Sequence, residues 1–271
     1  MPDVEVSLVV TDLDGTLWHT DDQLRPEVVA AVAEVQNRGV PLLVATGRRL
    51  ASTRRPLQAH GLSAPLVVLN GALGLRWSGE RFHSSSFPVD EASEVLDAFE
   101  RVGLEPVVYI DHPTCEVVLG PSPDTHPEHA RVLEPDALRG DLREALGATT
   151  VLGFGLIGVE HHHGVAVVDA VGERATTHLD RSLDRPGLVS LTVAPRRRSK
   201  WDGVLAYCVA EGLDHTRVLA LADGPNDLEL LDGAAVRLVP EGSHPAALER
   251  ADHLIGRARD GGWAQVIDHL G

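Results

Sequence analysis

Val9-Val10-Thr11-Asp12-Leu13-Asp14-Gly15-Thr16-Leu17 is the stretch on which the reading of this 271-residue chain turns. The apolar run Val6 to Val10 predicts a short strand buried on both faces, and it stops at two carboxylates spaced i, i+2 and followed by glycine. Asp12 and Asp14 are then at the carboxyl end of a strand, the edge of an open α/β sheet where ligands bind. A carboxylate leaving a rigid strand is well aimed as a nucleophile or as a ligand for a hard cation. Taken alone, the segment reads equally as a strand followed by an acidic turn. The remainder of the chain decides between the two.

Working outward, Pro26 at a first helical position opens an amphipathic run through Arg38, and Gly39 stops it. Val40 to Ala45 is a second buried strand ending in Thr46-Gly47-Arg48, a small hydroxylic residue, a permissive one and a cation, which suits a phosphoryl oxygen close to the backbone. Leu50 to His60 reads as a helix, and Leu66 to Leu69 as a third strand ending in Asn70-Gly71. This βαβαβ order predicts a Rossmann-like, doubly wound parallel sheet with right-handed crossovers. A hairpin around Ser78-Gly79 follows. From about residue 87 to 190 strict alternation is lost. We expect a helix capped by Asp90, strands at Val107 to Asp111 and Glu116 to Leu119, a helix over Pro135 to Leu146, and a strand from Thr150 to Ile157. The segment to Val171 is ambiguous, and strands at Thr176 to Leu183 and Leu188 to Val193 are joined through Arg185-Pro186-Gly187. Such a run predicts an inserted α+β domain, with segments 1–86 and 191–271 forming one interrupted α/β core. Within the insert, His161-His162-His163 cannot converge on one ion, since neighbours point about 100° apart on a helix and to opposite faces on a strand.

After the insert, Ser199 and Asp202 are spaced as a helix-capping pair, and Gly212 ends that helix. Arg217 to Ala222 is a strand carrying Asp223-Gly224-Pro225-Asn226-Asp227 at its end, and strands near Ala235 to Val239 and His253 to Ile255 complete the sheet. One edge then collects Asp12, Asp14, Thr46, Asn70, Asp223, Asn226 and Asp227, with Lys200 at a helix start. Four carboxylates crowd together only if cations offset their repulsion. An oxygen-lined site suits Mg2+, whereas no His or Cys cluster is available for zinc.

Composition narrows the partners. A net charge of −16 repels polyphosphate backbones and argues against nucleic acid. Two cysteines in different halves, Cys115 and Cys208, form no disulfide framework. With no apolar run long enough for a membrane span and an acidic N-terminus, the protein is expected to be soluble and cytoplasmic, a monomer or small homo-oligomer. Of twenty-four basic side chains, twenty-three are arginine and one is lysine, Lys200.

The motifs DLDGT at Asp12 to Thr16, Thr-Gly-Arg at Thr46 to Arg48, Lys200, and Asp-x-x-Asn-Asp at Asp223 to Asp227 resemble, in this order, those of the haloacid dehalogenase-like superfamily of phosphohydrolases. The insert between the second and third motifs, with Asn70-Gly71, is similar to the Cof-like branch, whose large α/β cap acts on sugar phosphates and other small phosphate esters. The resemblance implies Asp12 as the nucleophile of an aspartyl phosphate and Asp14 as general acid and base. It further implies Mg2+ on the Asp12 carboxylate, the Asp14 carbonyl oxygen and Asp223, with Asp227 behind them. Phosphate would be contacted by Thr46, Gly47, Arg48, Asn70, Lys200 and Asn226. The partner is then a small phosphorylated metabolite. Ala222, where the family often has glycine, and Arg237 to Gly242, in place of a small-residue loop, depart from the pattern. A phosphomutase on the same scaffold, or a non-catalytic phosphate-binding module, would share the same edge.

Overall fold

The computed structural model describes residues 5–19, 22–181 and 187–271. Contacts divide the chain into two units, Met1–Ser84 with Ser199–Gly271, and Ser85–Arg198. The dividing point falls after the strand Leu188–Ala194, which lies whole in the second unit, rather than inside it at residue 190.

In chain order the first unit begins with β1 (Leu8–Thr11), α1 (Pro26–Asn37), β2 (Leu42–Ala45), α2 (Leu50–Ala59), β3 (Leu66–Val68), β4 (Leu73–Leu75) and β5 (Arg81–Ser84). The second unit contains α3 (Val89–Arg101), β6 (Val107–Asp111), β7 (Val117–Leu119), α4 (Pro127–Leu133), β8 (Ala137–Arg139), α5 (Leu142–Ala148), β9 (Thr150–Glu160), α6 (His161–Val171), β10 (Thr176–Arg181) and β11 (Leu188–Ala194). The first unit resumes with α7 (Lys200–Glu211), β12 (Val218–Leu221), α8 (Leu228–Gly233), β13 (Val236–Pro240), α9 (Pro245–Leu248), β14 (His253–Ile255) and a closing 3-10 run, Gly262–His269.

The first sheet has the order β14-β13-β12-β1-β2-β3-β4-β5. Its first six strands are parallel, and β4 and β5 add an antiparallel hairpin. The central strand β1 pairs with β2 on one side and β12 on the other, so the ends of these three strands, and of β3, share one edge. Every residue of β1, β2, β3 and β12 is buried, as continuous apolar runs in a two-sided sheet require. Leu8 and Val10 pack with Val204, Tyr207 and Cys208 of α7 and with Leu230 and Leu231 of α8. The closing 3-10 run holds Trp263, fully buried, whose Nε1 donates to Thr11 Oγ1 at 2.9 Å.

Two glycines bring α7 close to β3. A Cβ on Gly203 would stand 2.5 Å from Val67 Cγ1. A Cβ on Gly71, itself at φ +98°, would stand 2.0 Å from the Ser199 carbonyl oxygen. Ser199 closes the start of α7, its N–H donating to Asp202 Oδ2 at 2.8 Å. The departure at Arg237 has a local reason. Its guanidinium and backbone N–H bind both oxygens of Asp252 at 2.6 to 3.0 Å, tying β13 to the turn before β14.

In the second unit a six-stranded sheet, β10-β11-β9-β6-β7-β8, packs Val108, Phe154, Leu156 and Leu191 against Val95, Phe99 and Leu146 of α3 and α5 and Val167 of α6. Two elements of this unit differ from the sequence expectation. The helix α3 begins at Val89 after Pro88, so Asp90 lies inside its first turn, where its charge suits the helix dipole. The helix expected over Pro135 to Leu146 is split: Ala137–Arg139 pairs in parallel with β7, and Asp141, accepting from Glu144 N at 3.0 Å, caps a new helix. Strand pairing overrode a helical spacing. The ambiguous stretch is resolved as helix α6, begun by His161, with His162 Nδ1 3.2 Å from Glu160 Oε2. Of the expected turn between β10 and β11, Arg185 and Pro186 lie outside the described residues.

Gly203→Ala tests the close approach of α7. Inside a free helix this exchange gains about 1 kcal/mol. Against Val67 it overpacks, and we expect a net loss of roughly 1–3 kcal/mol in urea unfolding. A variant more stable than the parent would mean that α7 can stand off from β3.

Candidate active site

The edge of the first sheet brings together residues far apart in sequence. Asp12 and Asp14 follow β1, Thr46 to Arg48 follow β2, Asn70 follows β3, Asp223 to Asp227 follow β12, and Lys200 opens α7. Lys200 is 1% exposed, its Nζ lying 2.6 Å from Asp12 Oδ1 and 2.6 Å from Asp227 Oδ1. A cation at a helix start opposes the dipole. Here two carboxylates hold it there, and they keep the ammonium protonated, its pKa raised despite its burial. The other oxygen of Asp227 accepts from Gly224 N at 3.0 Å. Asp227 is thus a direct partner of Lys200, closer to the centre than the sequence implied.

Asp223 Oδ1 accepts from Thr16 Oγ1 at 2.9 Å. Gly15, at φ +80°, lies so close to Asp223 that a Cβ there would be 2.3 Å from Oδ2. Any other residue at position 15 would push the two loops apart. Asn226 Nδ2 donates to Asn70 Oδ1 at 2.9 Å, joining the loop after β12 to the turn after β3, where Asn70 is at φ 53°. Thr46 is buried and its Oγ1 accepts the Arg48 N–H at 3.2 Å, so the loop after β2 is closed upon itself. Arg48 turns its guanidinium to Asp14 and Asp22, its Nε standing 2.6 Å from Asp14 Oδ2. Trp18 Nε1 also donates to Asp14, at 3.1 Å.

Oxygen atoms of Asp12, Asp223 and Asp227 lie within 4.8 Å of one another. One ammonium faces three carboxylates, an excess of negative charge that burial makes costly. Burial first, with the neighbouring carboxylates adding to it and Lys200 opposing, pushes the Asp12 carboxyl well above its ordinary range. Burial, then Asp227, pushes Asp223 up to about 7. Lys200 takes one oxygen of Asp12 and Thr16 one of Asp223, so each has a second oxygen for a ligand. Oxygen donors with surplus negative charge fit a divalent cation of the hard kind. Four residues of this arrangement had no role in the sequence reading. Thr16 lies within the quoted DLDGT motif, and its spacing from Asp12 is the signal that could have found it. Nothing in the sequence marks Trp18, Asp22 or Gly203.

A family model described as haloacid dehalogenase-like hydrolase matches residues 9–137 and 156–267. Over 264 residues the chain is 25% identical to the phosphoglycolate phosphatase of Methanopyrus kandleri, with 97% of each covered. It is 23% identical over 277 residues to the pyridoxal phosphate phosphatase YbhA of Escherichia coli, with 97% of this chain and 98% of that protein covered. A solved haloacid dehalogenase-like hydrolase from Bacillus subtilis shares the fold with a TM-score of 0.81 at 16% identity, covering 98% of this chain and 100% of that one. Among the described residues no helix is long and apolar enough to cross a membrane.

The raised pKa of Asp223 ties both stability and cation binding to pH. Between its ordinary 3.8 and about 7 the folded protein holds a proton that the unfolded chain has lost, so without a cation stability falls as pH rises through that window. A divalent cation must displace this proton below about pH 7 and need not above it. The gain in melting temperature on adding Mg2+ or Mn2+ is therefore expected to be larger at pH 8 than at pH 5.5, and absent in Asp223→Asn. Scanning calorimetry at the two pH values checks this. An equal gain at both would place the cation elsewhere.

Proposed function

Because the chain belongs to the haloacid dehalogenase-like hydrolases, in their Cof-like branch, and is a phosphoric monoester hydrolase, we propose that it hydrolyses small phosphate monoesters, sugar phosphates or similar metabolites, with Mg2+ and through an aspartyl phosphate on Asp12. The observation that carries this reading is the Lys200 ammonium, buried between Asp12 and Asp227 beside Asp223. A carboxylate is a poor nucleophile towards an anionic phosphate unless positive charge neutralises the encounter. Lys200 supplies part of that charge at the Asp12 oxygen itself.

In the first step an Asp12 oxygen forms a bond to phosphorus as the ester oxygen leaves, and Asp14 supplies the proton the leaving oxygen takes. In the second, water attacks phosphorus, the bond to Asp12 breaks, and Asp14 takes the water's proton. Thr46, Gly47, Asn70 and Asn226 line the edge on which the phosphoryl oxygens rest, and Lys200 keeps Asp12 fixed throughout. Asp12 and Asp223, with the Asp14 carbonyl oxygen, are the residues to hold Mg2+, which when bound supplies positive charge to the phosphoryl group. Selection among esters is assigned to the unit Ser85–Arg198.

Asp12→Asn keeps the shape but is neither a nucleophile nor an anion, so phosphate release from a panel of monoesters is expected to drop by three or more orders of magnitude, about 4 kcal/mol. Turnover within tenfold of the parent sinks the covalent route. Lys200→Arg conserves charge, yet a wide planar fork cannot enter a gap 2.6 Å from both carboxylates. It is expected to lose a factor of roughly thirty or more in kcat/KM, about 2 kcal/mol, under saturating Mg2+. Arg197→Lys, at an exposed position, should be nearly silent. Equal small effects at both positions would make Lys200 an ordinary cation.

A further inference from the structure

Arg48 has partners unlike those expected of a phosphate ligand. Its Nε donates to Asp14 Oδ2 at 2.6 Å and its Nη2 to Asp14 Oδ1 at 2.5 Å, a two-pronged pair. Nη2 also reaches Asp22 Oδ1 at 2.7 Å, and Nη1 the Ser52 carbonyl oxygen at 3.3 Å. The guanidinium lies 5.4 Å from the centre of the Trp18 ring. Trp18 is 1% exposed, and its Nε1 is the third donor on the Asp14 carboxyl group. Both oxygens of Asp14 are thus fixed by side-chain N–H groups, and the fork that fixes them is itself held by Asp22 and Ser52.

We infer that Arg48 is a positioning residue, which with Trp18 fixes the Asp14 carboxylate in the orientation from which it takes the proton of the hydrolytic water, and that it does not bind the phosphate. The inference rests on the reading of Asp12 as nucleophile and Asp14 as base. In the step concerned, the water oxygen bonds to phosphorus, the bond from phosphorus to the Asp12 oxygen breaks with its electron pair returning to Asp12, and the water's proton passes to Asp14. Without the fork Asp14 is free to turn about its side-chain torsions, and this second step slows. The first step is spared when the leaving group, such as 4-nitrophenolate, departs without a proton.

Rapid mixing of 4-nitrophenyl phosphate and saturating Mg2+ with Arg48→Met and with Trp18→Phe tests this. The first turnover is expected within about threefold of the parent, while steady-state turnover falls roughly tenfold or more for Arg48→Met and about threefold for Trp18→Phe. The burst of nitrophenolate then grows towards one per site, a signature that mere loosening of the fold does not produce. Inhibition by inorganic phosphate should keep its constant within about twofold, because no phosphate contact is lost. Trp18→Phe keeps an aromatic ring in the core while removing the donor to Asp14, so the test stands even if Arg48→Met fails to fold. A slowed first turnover with no burst in the variants, or a phosphate inhibition constant raised about tenfold in Arg48→Met, overturns the positioning role. Asp12→Asn in the same experiment separates the two readings. If it still turns over, the covalent route falls, whereas a missing burst in an Asp12-dependent enzyme overturns only the part assigned to Arg48.

Discussion

The structure of this sheet edge depends on one ammonium group. Lys200 sits at full burial between Asp12 and Asp227, at a helix start where the dipole is adverse. Withdrawing these charges from water costs several kcal/mol per ion before their mutual attraction is counted. The backbone around it sets where Lys200 begins and where its partners lie. Gly71 and Gly203 seat α7 against β3, and Gly224 N holds the second oxygen of Asp227. A site that conflicts with local preference and is held by packing is what a functional position looks like in an otherwise self-consistent fold.

Much of the core was readable because its signals are local. Continuous apolar runs of four or five residues, each followed by a polar residue or glycine, announce buried parallel strands, and Gly39 and Gly212 mark helix ends directly. The constellation followed, since parallel strands place their carboxyl ends on one edge. What was not readable depends on pairing at a distance. No periodicity tells that Ala137–Arg139 would leave a helical spacing to pair with Val117–Leu119. The fork of Arg48 could not be assigned either, because Thr-Gly-Arg fixes where the residue starts and not what its side chain reaches. Asp22, which holds that fork from the other side, is separated from Arg48 by a whole strand and helix.

The unusual residues in the core loops also find physical reasons. Arg237, which broke the expected run of small residues, is committed to Asp252 through three hydrogen bonds. Ala222 is fully buried against the sheet, where a methyl group fills space that glycine would leave open.

Strand order has a consequence for how this chain comes to be folded. The central strand β1 has β2 for one neighbour, about thirty residues on, but its other neighbour, β12, emerges some two hundred residues later, with the whole of Ser85–Arg198 synthesised in between. The second unit is continuous and can collapse as soon as it leaves the ribosome, whereas the first must wait, with an apolar strand edge open and Asp12 lacking its cation. Long-range parallel pairing of this kind is slow. The chemistry of the site therefore waits on a late part of the chain: only once α7 has settled on β3 and β12 has docked beside β1 do Lys200 and Asp227 reach Asp12.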